Sequence, residues 1–289
     1  MSPSSTDTGQ AHAANDPAHS RLVALARSAV EGFRSLCLPA NGGPVDIVEG
    51  ALCWHSTSSV PVFNGACLLS EHLINPTTLR AIDLYFSELS RGHSIITLDA
   101  LVPGAVRLLT ACGYLEYDYM PAMWLEGPPY EWEGQPEQMA ESGTATPLTA
   151  VDRSITIVQI HTAEELAAFR TILSHAFHLP ASEVRLILNE ATLNLPHVKH
   201  YLAYWEGEPV GTLTMVLAEG VAGIWNVGTM TGYRRRGVAT HLMRHALGEA
   251  HRLGHHSSML LASMEGQPLY VRVGYVTLTM LRVFVPGAC

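Results

Sequence analysis

The chain has 289 residues, 47% of them hydrophobic, and a formal net charge of −9. That length suits two domains, the acidic balance argues against a general nucleic-acid binder, and no apolar run approaches the roughly 20 residues of a membrane span. The five cysteines (Cys37, Cys53, Cys67, Cys112, Cys289) are odd in number and lack metal or disulfide spacing, and the start lacks a signal-peptide apolar core, so a cytoplasmic setting is expected.

Residues 1–19 are polar, rich in Ser, Ala and Asp and without periodicity, which predicts a disordered tail. Residues 20–127 form the first expected domain. In it Ala81, Ile82, Tyr85, Phe86 and Leu89 recur at helical spacing, and Leu108–Tyr114 leads into an alternating stretch that reaches Leu125. Residues 128–152, with Pro128, Pro129, Pro136, Gly143 and Pro147, read as an interdomain linker.

The second expected domain, 153–289, opens with a strand over Ser154–Ile160. Thr162 and Glu165 make a capping box for a helix towards Phe177. Pro180 starts a further helix ending near Asn194. Two strands, Val198–Trp205 and Pro209–Leu217, are joined at Glu206-Gly207-Glu208, a hairpin signal, and Val221–Met230 reads as a buried strand.

Next comes Tyr233-Arg234-Arg235-Arg236-Gly237-Val238-Ala239, where three cations and a glycine meet at a helix start. Backbone N–H groups there lack intrahelical partners, and the peptide dipoles place roughly half a positive charge at that end. Gly237 has no Cβ to hold a phosphate oxygen away. The helix follows with Val238, Leu242, Met243, Ala246, Leu247, Ala250 and Leu253 on one face, and Gly254 stops it. An expected strand, Ser257–Ser263, precedes Gly266-Gln267-Pro268-Leu269-Tyr270-Val271-Arg272-Val273-Gly274-Tyr275, and Val276–Val285 alternates as a last strand. Neither a Walker A loop nor a G-x-G-x-x-G fingerprint fits, since the lysine is missing and Gly228, Gly232 and Gly237 are wrongly spaced.

Arg234, Gly237 and Ala239 fit [QR]-x-x-G-x-[GA], and Leu269 to Tyr275 is similar to L-Y-x-[KR]-x-G-[FY]. In that order, one helix and one strand apart, the two signatures resemble the GNAT superfamily of acyl-CoA-dependent N-acyltransferases. The order of elements over Ser154–Val285 agrees. The resemblance implies that Arg234, Arg235, Arg236, Gly237, Val238, Ala239 and Thr240 hold the pyrophosphate of acetyl-CoA as cosubstrate. It implies also that backbone groups of Val227, Gly228 and Thr229 pair with the pantetheine arm and polarise the thioester carbonyl. Tyr270 is the implied general acid for the departing thiolate, because a phenol with a pKa near 10 still holds its proton at neutral pH. The base that frees the amine is left unassigned among Glu219, Glu265 and His178. His241 and His245, one turn apart without the glutamate of H-E-x-x-H, read as solvated polar-face residues, so no metal is expected.

Setting Gly113-Tyr114 on Gly274-Tyr275 gives a shift of 161 positions (274 minus 113). At that shift Ala81, Ile82, Tyr85, Phe86 and Leu89 fall opposite Leu242, Met243, Ala246, Leu247 and Ala250, which argues for a tandem duplication. Opposite the arginine–glycine run stand Leu73-Ile74-Asn75-Pro76-Thr77-Thr78. Leu109 and Ala111 replace Tyr270 and Arg272, so the first copy reads as degenerate.

The expected fold is α/β (α+β): two tandem GNAT-like domains, each a mixed central sheet flanked by helices. The expected activity is transfer of an acetyl group from acetyl-CoA to a primary amine of a small molecule or peptide. No nucleic-acid or membrane partner is expected, and the protein is expected to be a monomer or homodimer. The alternatives are a non-catalytic acyl-CoA-binding regulatory module and a nucleotide-phosphate binder of another family.

Overall fold

The structure, a computed structural model, describes residues 16–37, 45–56, 61–127 and 155–287. It begins with α1 (Pro17–Cys37), so residues 17–19 of the expected disordered tail are helix. Asp16 caps it through Oδ1, which accepts from the Ala18 amide at 3.0 Å, and Pro17 sits at the first turn where no donor is missed. Leu22, Leu25, Ala26, Ala29, Phe33 and Leu36 share one face at helical spacing.

The first half continues with β1 (Asp46–Val48), β2 (Ala51–Trp54), β3 (Gly65–Leu68), α2 (Pro76–Glu88), β4 (Ser94–Leu98), α3 (Ala105–Ala111) and β5 (Tyr114–Glu126). The expected linker, 128–152, lies outside the described residues. The second half runs through β6 (Ile155–Gln159), α4 (Ala163–Phe177), α5 (Ala181–Ile187), β7 (Val198–Trp205), β8 (Glu208–Ala218) and β9 (Val221–Thr229). It ends with α6 (Val238–Arg252), β10 (Ser257–Leu261), α7 (Gln267–Val273) and β11 (Val276–Pro286).

Local chemistry explains most boundaries. The capping box forms at α4: Thr162 accepts from the Glu165 amide and the Glu165 side chain accepts from the Thr162 amide. Glu206 and Gly207 both take positive φ, 50° and 91°, as a two-residue hairpin turn requires. The helix expected to end near Asn194 stops at Ile187 instead. Asn189 is extended there and caps a separate 3-10 turn, Glu190–Asn194, by accepting from the Ala191 amide.

All eleven strands join one mixed sheet in the order β1-β2-β3-β4-β11-β5-β10-β9-β8-β7-β6. Helices flank it, as expected from the sequence. The last strand of each half is paired with the other half: β11 lies against β4 (Val283 opposite Ile96) and β5 against β10 (Met123 opposite Leu260). β5 and β11 then pair with each other at the centre. Arg282 of β11 fixes the exchange, donating to Asp99 after β4 at 2.6 and 3.0 Å and also to Glu116 of β5. The sheet is therefore continuous across both halves.

Four apolar clusters seat the helices. Leu242, Met243, Ala246 and Leu247 of α6 bury against Leu213, Met215 and Ile224. On the opposite face Leu166, Phe169 and Leu173 of α4 meet Leu202 and Val216. α1 lays Leu25, Ala29 and Val30 over Val221, Met259 and Leu281, and α2 packs Ile82 and Phe86 beside Ile95 and Phe284. Among the described residues no helix is long and apolar enough to cross a membrane.

Candidate acyl-coenzyme cleft

β9 and β10 run parallel only as far as Ile224 and Leu260. Beyond that point β10 stays with β5, and residues 225–229 of β9 lose their neighbour on that side. A cleft of about 720 Å³ opens at this splay. One wall is Val227, Gly228 and Thr229. The other is Ser263, Met264, Glu265 and Gly266 after β10, with Leu269 and Arg272 of α7, and the end of α4 (Ala176, Phe177 and His178) closes a third side.

β9 carries a bulge at the splay. Thr212 pairs with Gly228 and Thr214 with Trp225, so Asn226 and Val227 together face the single residue Leu213. Asn226 is left-handed, with φ 54°. Gly228 is needed for packing, because a Cβ there would come within 2.9 Å of Thr212 Oγ1 and 3.0 Å of Ala176 Cβ.

The cleft's remaining side is the start of α6. Gly237 is left-handed at φ 84° and no side chain caps the helix. The first bond at this end runs from the His241 amide to the Gly237 carbonyl, 3.0 Å, so the amides of Val238, Ala239 and Thr240 have no intrahelical acceptor. These three residues and Gly237 line the cleft. The arrangement fits an anionic phosphate: open donors, the positive end of a fifteen-residue helix, and no Cβ at the approach.

The three arginines separate. Arg234 and Arg235 line the cleft. Arg234 also holds the loop down, donating to the carbonyls of Thr229 and Ala176 at 3.4 Å each. The Arg236 guanidinium lies 5.5 Å from the ring centroids of both Trp205 and Tyr233 and is not part of the lining, which leaves only its backbone near the expected site.

Tyr270 is 8% exposed and belongs to the core cluster beside Tyr275, 6.2 Å between ring centroids. Its neighbours Gly266 and Leu269, rather than Tyr270, line the cleft. Burial pushes its hydroxyl up to about 12, so it stays protonated across the neutral range. Of the three candidate bases, His178 and Glu265 lie in the cleft wall. Glu219 sits in the β8–β9 turn at the far end of β9, 3.8 Å from Arg27, and is not part of the site.

The histidines of α6 are not solvated as expected. His241 Nδ1 is 2.9 Å from the Gly237 carbonyl and its Nε2 is sealed without a partner. His245 is half-buried against Tyr201 and Glu249. Among the described residues, no group of three or more His, Cys, Asp or Glu side chains is placed to hold a metal.

The start of α2, the helix set opposite α6 at the shift of 161 positions, has no open donors of this kind. Asn75 Oδ1 accepts from the amides of both Thr77 and Thr78 at 3.0 Å, and Pro76 supplies no N–H.

Residues 166–275, which span this cleft, match the model of the Acetyltransferase (GNAT) family. No curated protein matches the chain. Solved structures similar to it include a GCN5-related N-acetyltransferase from Kribbella flavida, with TM-score 0.66 and 19% identity over 92% of this chain and 96% of that one. A GCN5-related N-acetyltransferase from Sphaerobacter thermophilus has TM-score 0.58 and 17% identity, covering 96% of this chain and 95% of that one. At such identities the likeness establishes the fold, whereas the family match covers the residues that build the cleft. Residues 166–275 thus match a GNAT acetyltransferase domain in sequence, and the whole chain shares its fold with the two solved structures.

Proposed function

We propose that the protein transfers the acetyl group of acetyl-CoA to a primary amine. The observation that carries this reading is the uncapped start of α6 at Gly237, opening into a cleft that continues to the splayed edge of β9. The amides of Val238, Ala239 and Thr240, with Arg234 and Arg235, would take the pyrophosphate. The backbone of Val227–Thr229 would pair with the pantetheine arm and donate to the thioester carbonyl, where negative charge grows as the amine adds.

Acetyl transfer forms an N–C bond, breaks C–S, removes one proton from the amine and returns one to the thiolate. Tyr270 is assigned the second of these transfers. Its raised pKa keeps the proton available, and among the described residues its hydroxyl has no hydrogen-bond partner to compete for that proton. His178 and Glu265 are the wall residues able to accept the amine proton, directly or through water. The first half is assigned a structural role as a degenerate copy whose matching helix start is closed by Asn75. Domains at 20–127 and 153–289 and a cytoplasmic location complete the reading.

Calorimetry with acetyl-CoA and thioester consumption over a panel of small and peptide amines test the assignment. Binding with turnover on at least one amine is expected. Binding without turnover on any acceptor would favour a regulatory acyl-CoA-binding module, and the absence of binding would end the enzyme reading.

A further inference from the structure

Asn226 is the one residue of the β9 bulge with a left-handed backbone, a conformation that asparagine tolerates better than most L residues but that still needs contacts to hold it within a strand. Two contacts fix it. Thr212 Oγ1 donates to its carbonyl at 2.8 Å, and its own Nδ2 lies 3.2 Å from Thr214 Oγ1. Thr214 Oγ1 is in turn 2.8 Å from His200 Nδ1, and His200 Nε2 is 3.0 Å from Thr192 Oγ1. Thr192 ends the series by donating to the Asn189 carbonyl at 2.8 Å.

The directions follow from that last bond together with a neutral His200. A carbonyl only accepts, so the single Thr192 hydroxyl proton is committed to Asn189, and Thr192 Oγ1 must accept from His200 Nε2–H. Burial drives His200 towards its neutral form, pulling its pKa down to about 4. Its Nδ1 is then bare and accepts from the Thr214 hydroxyl. Thr214 has no proton left to give, so it accepts from Asn226 Nδ2. Thr192, His200 and Thr214 are each at most 2% exposed, and Phe169 holds the imidazole edge-on at 5.4 Å between ring centroids. Solvent therefore does not reach the bonds among Thr192, His200 and Thr214.

We infer that His200 and Thr214 are positioning residues: a one-way hydrogen-bond chain from Asn189 to Asn226 holds the β9 bulge in the shape that aims the Val227–Thr229 backbone at the thioester carbonyl. This rests on the proposed coenzyme site. The chain spans from the 3-10 turn after α5, through β7 and β8, to the cleft edge, so three elements set the angle of one short stretch of backbone.

Infrared spectroscopy of acetyl-CoA carrying ¹³C at the thioester carbonyl reads that aim directly. On binding to the wild type, the carbonyl band should move to lower frequency. Thr214→Val keeps the strand shape but removes the relay hydroxyl, and most of the band shift should vanish. Thr214→Ser, which keeps the hydroxyl, should retain it. In an Asn226→Gly background, where glycine adopts the left-handed conformation unaided, Thr214→Val should no longer matter. With any amine that is turned over, Thr214→Val should lower kcat about tenfold and leave KM for acetyl-CoA within about threefold.

A full band shift in Thr214→Val overturns the inference while leaving the coenzyme site intact. Failure of the wild type to bind acetyl-CoA overturns both. Should Thr214→Val not fold, Asn226→Ala cuts the chain at its half-buried end and should also lose the shift. Nitrogen NMR of the wild type, without ligand, supplies an independent check: His200 must carry its proton on Nε2, and a proton on Nδ1 would reverse the chain and end the argument.

Discussion

Asn75 and Gly237 stand at the starts of α2 and α6 and leave those helix ends in opposite chemical states. Asn75 spends its side-chain oxygen on the amides of Thr77 and Thr78, whereas Gly237 offers no side chain and leaves three amides facing the cleft. Substituting the glycine should therefore act on binding more than on folding. In Gly237→Ala a Cβ would sit 3.5 Å from the His241 ring, an ordinary contact, so the cost is conformational, about 1–2 kcal/mol for a left-handed non-glycine residue. Gly237→Glu adds a negative charge where phosphate is expected. Calorimetry should show acetyl-CoA affinity at least about tenfold weaker for the alanine and lost for the glutamate. Uptake of acetyl-CoA by Gly237→Glu at wild-type affinity would remove the pyrophosphate assignment.

Asn75→Ala is the converse experiment. Losing both cap bonds at α2 should cost about 1 kcal/mol of unfolding free energy. Acetyl-CoA affinity should not move. A variant that weakens coenzyme binding without lowering the denaturation midpoint would mean the first half contributes to the site.

The adjacent arginines should separate by readout. Arg235→Ala removes a charge from the cleft lining, and acetyl-CoA affinity should fall about tenfold, with a shallower dependence on salt. Arg236→Ala removes a guanidinium stacked on Trp205 and Tyr233, so stability should drop by about 0.5–2 kcal/mol with affinity nearly unchanged. Equal losses of affinity from both would contradict the geometry.

Much of the site could be read from the chain alone, because local chemistry decides it. Gly237 at the helix start, the Thr162–Glu165 box and the Glu206-Gly207 turn all depend on residues within four positions of one another. What the sequence concealed depends on distant partners. Three consecutive arginines look equivalent until Trp205, some thirty positions away, takes one of them. The motif marks Tyr270 but does not say that its ring turns into the core beside Tyr275. The pairing of β11 with β4 and β5 has no local signal at all, since strand register is set by neighbours far along the chain. The helix α1 is different: Leu22, Leu25, Ala26, Ala29, Phe33 and Leu36, preceded by Asp16-Pro17, carry both the period and the start signal, and the polar composition before them obscured it.

Acid should loosen the contact between α1 and the second half. Burial pushes the Glu31 carboxyl up, but hydrogen bonds from His197, Arg34 and Ser35, with the Arg34 charge, outweigh it and bring it down to about 2. A carboxyl held below its unfolded value near 4.5 stabilises the fold above that pH, and the contribution disappears as pH falls from 4.5 to about 2. Denaturation series at pH 6 and pH 3 should show a smaller loss for Glu31→Gln than for the wild type. An identical loss in both would mean that Glu31 is not held low.

The exchanged strands also predict how the second half behaves alone. In the whole chain β11 lies between β4 and β5, and β10 uses β5 as its neighbour on the side away from β9. A fragment of residues 153–289 lacks both β4 and β5, which leaves β11 bare on two edges and β10 bare on one. Unpaired edges of this length recruit other strands. Two fragments can satisfy them mutually if β11 of each copy takes the place of β5 beside β10 of the other, reproducing the central four strands of the intact sheet. Light scattering should find the fragment dimeric or aggregated at concentrations where its α6 cleft is folded. Adding residues 20–127 in trans should convert it to a one-to-one pair. A monodisperse, folded monomer of 153–289 would show that β11 can return to its own half, and that Arg282 does not need Asp99 and Glu116 to hold it.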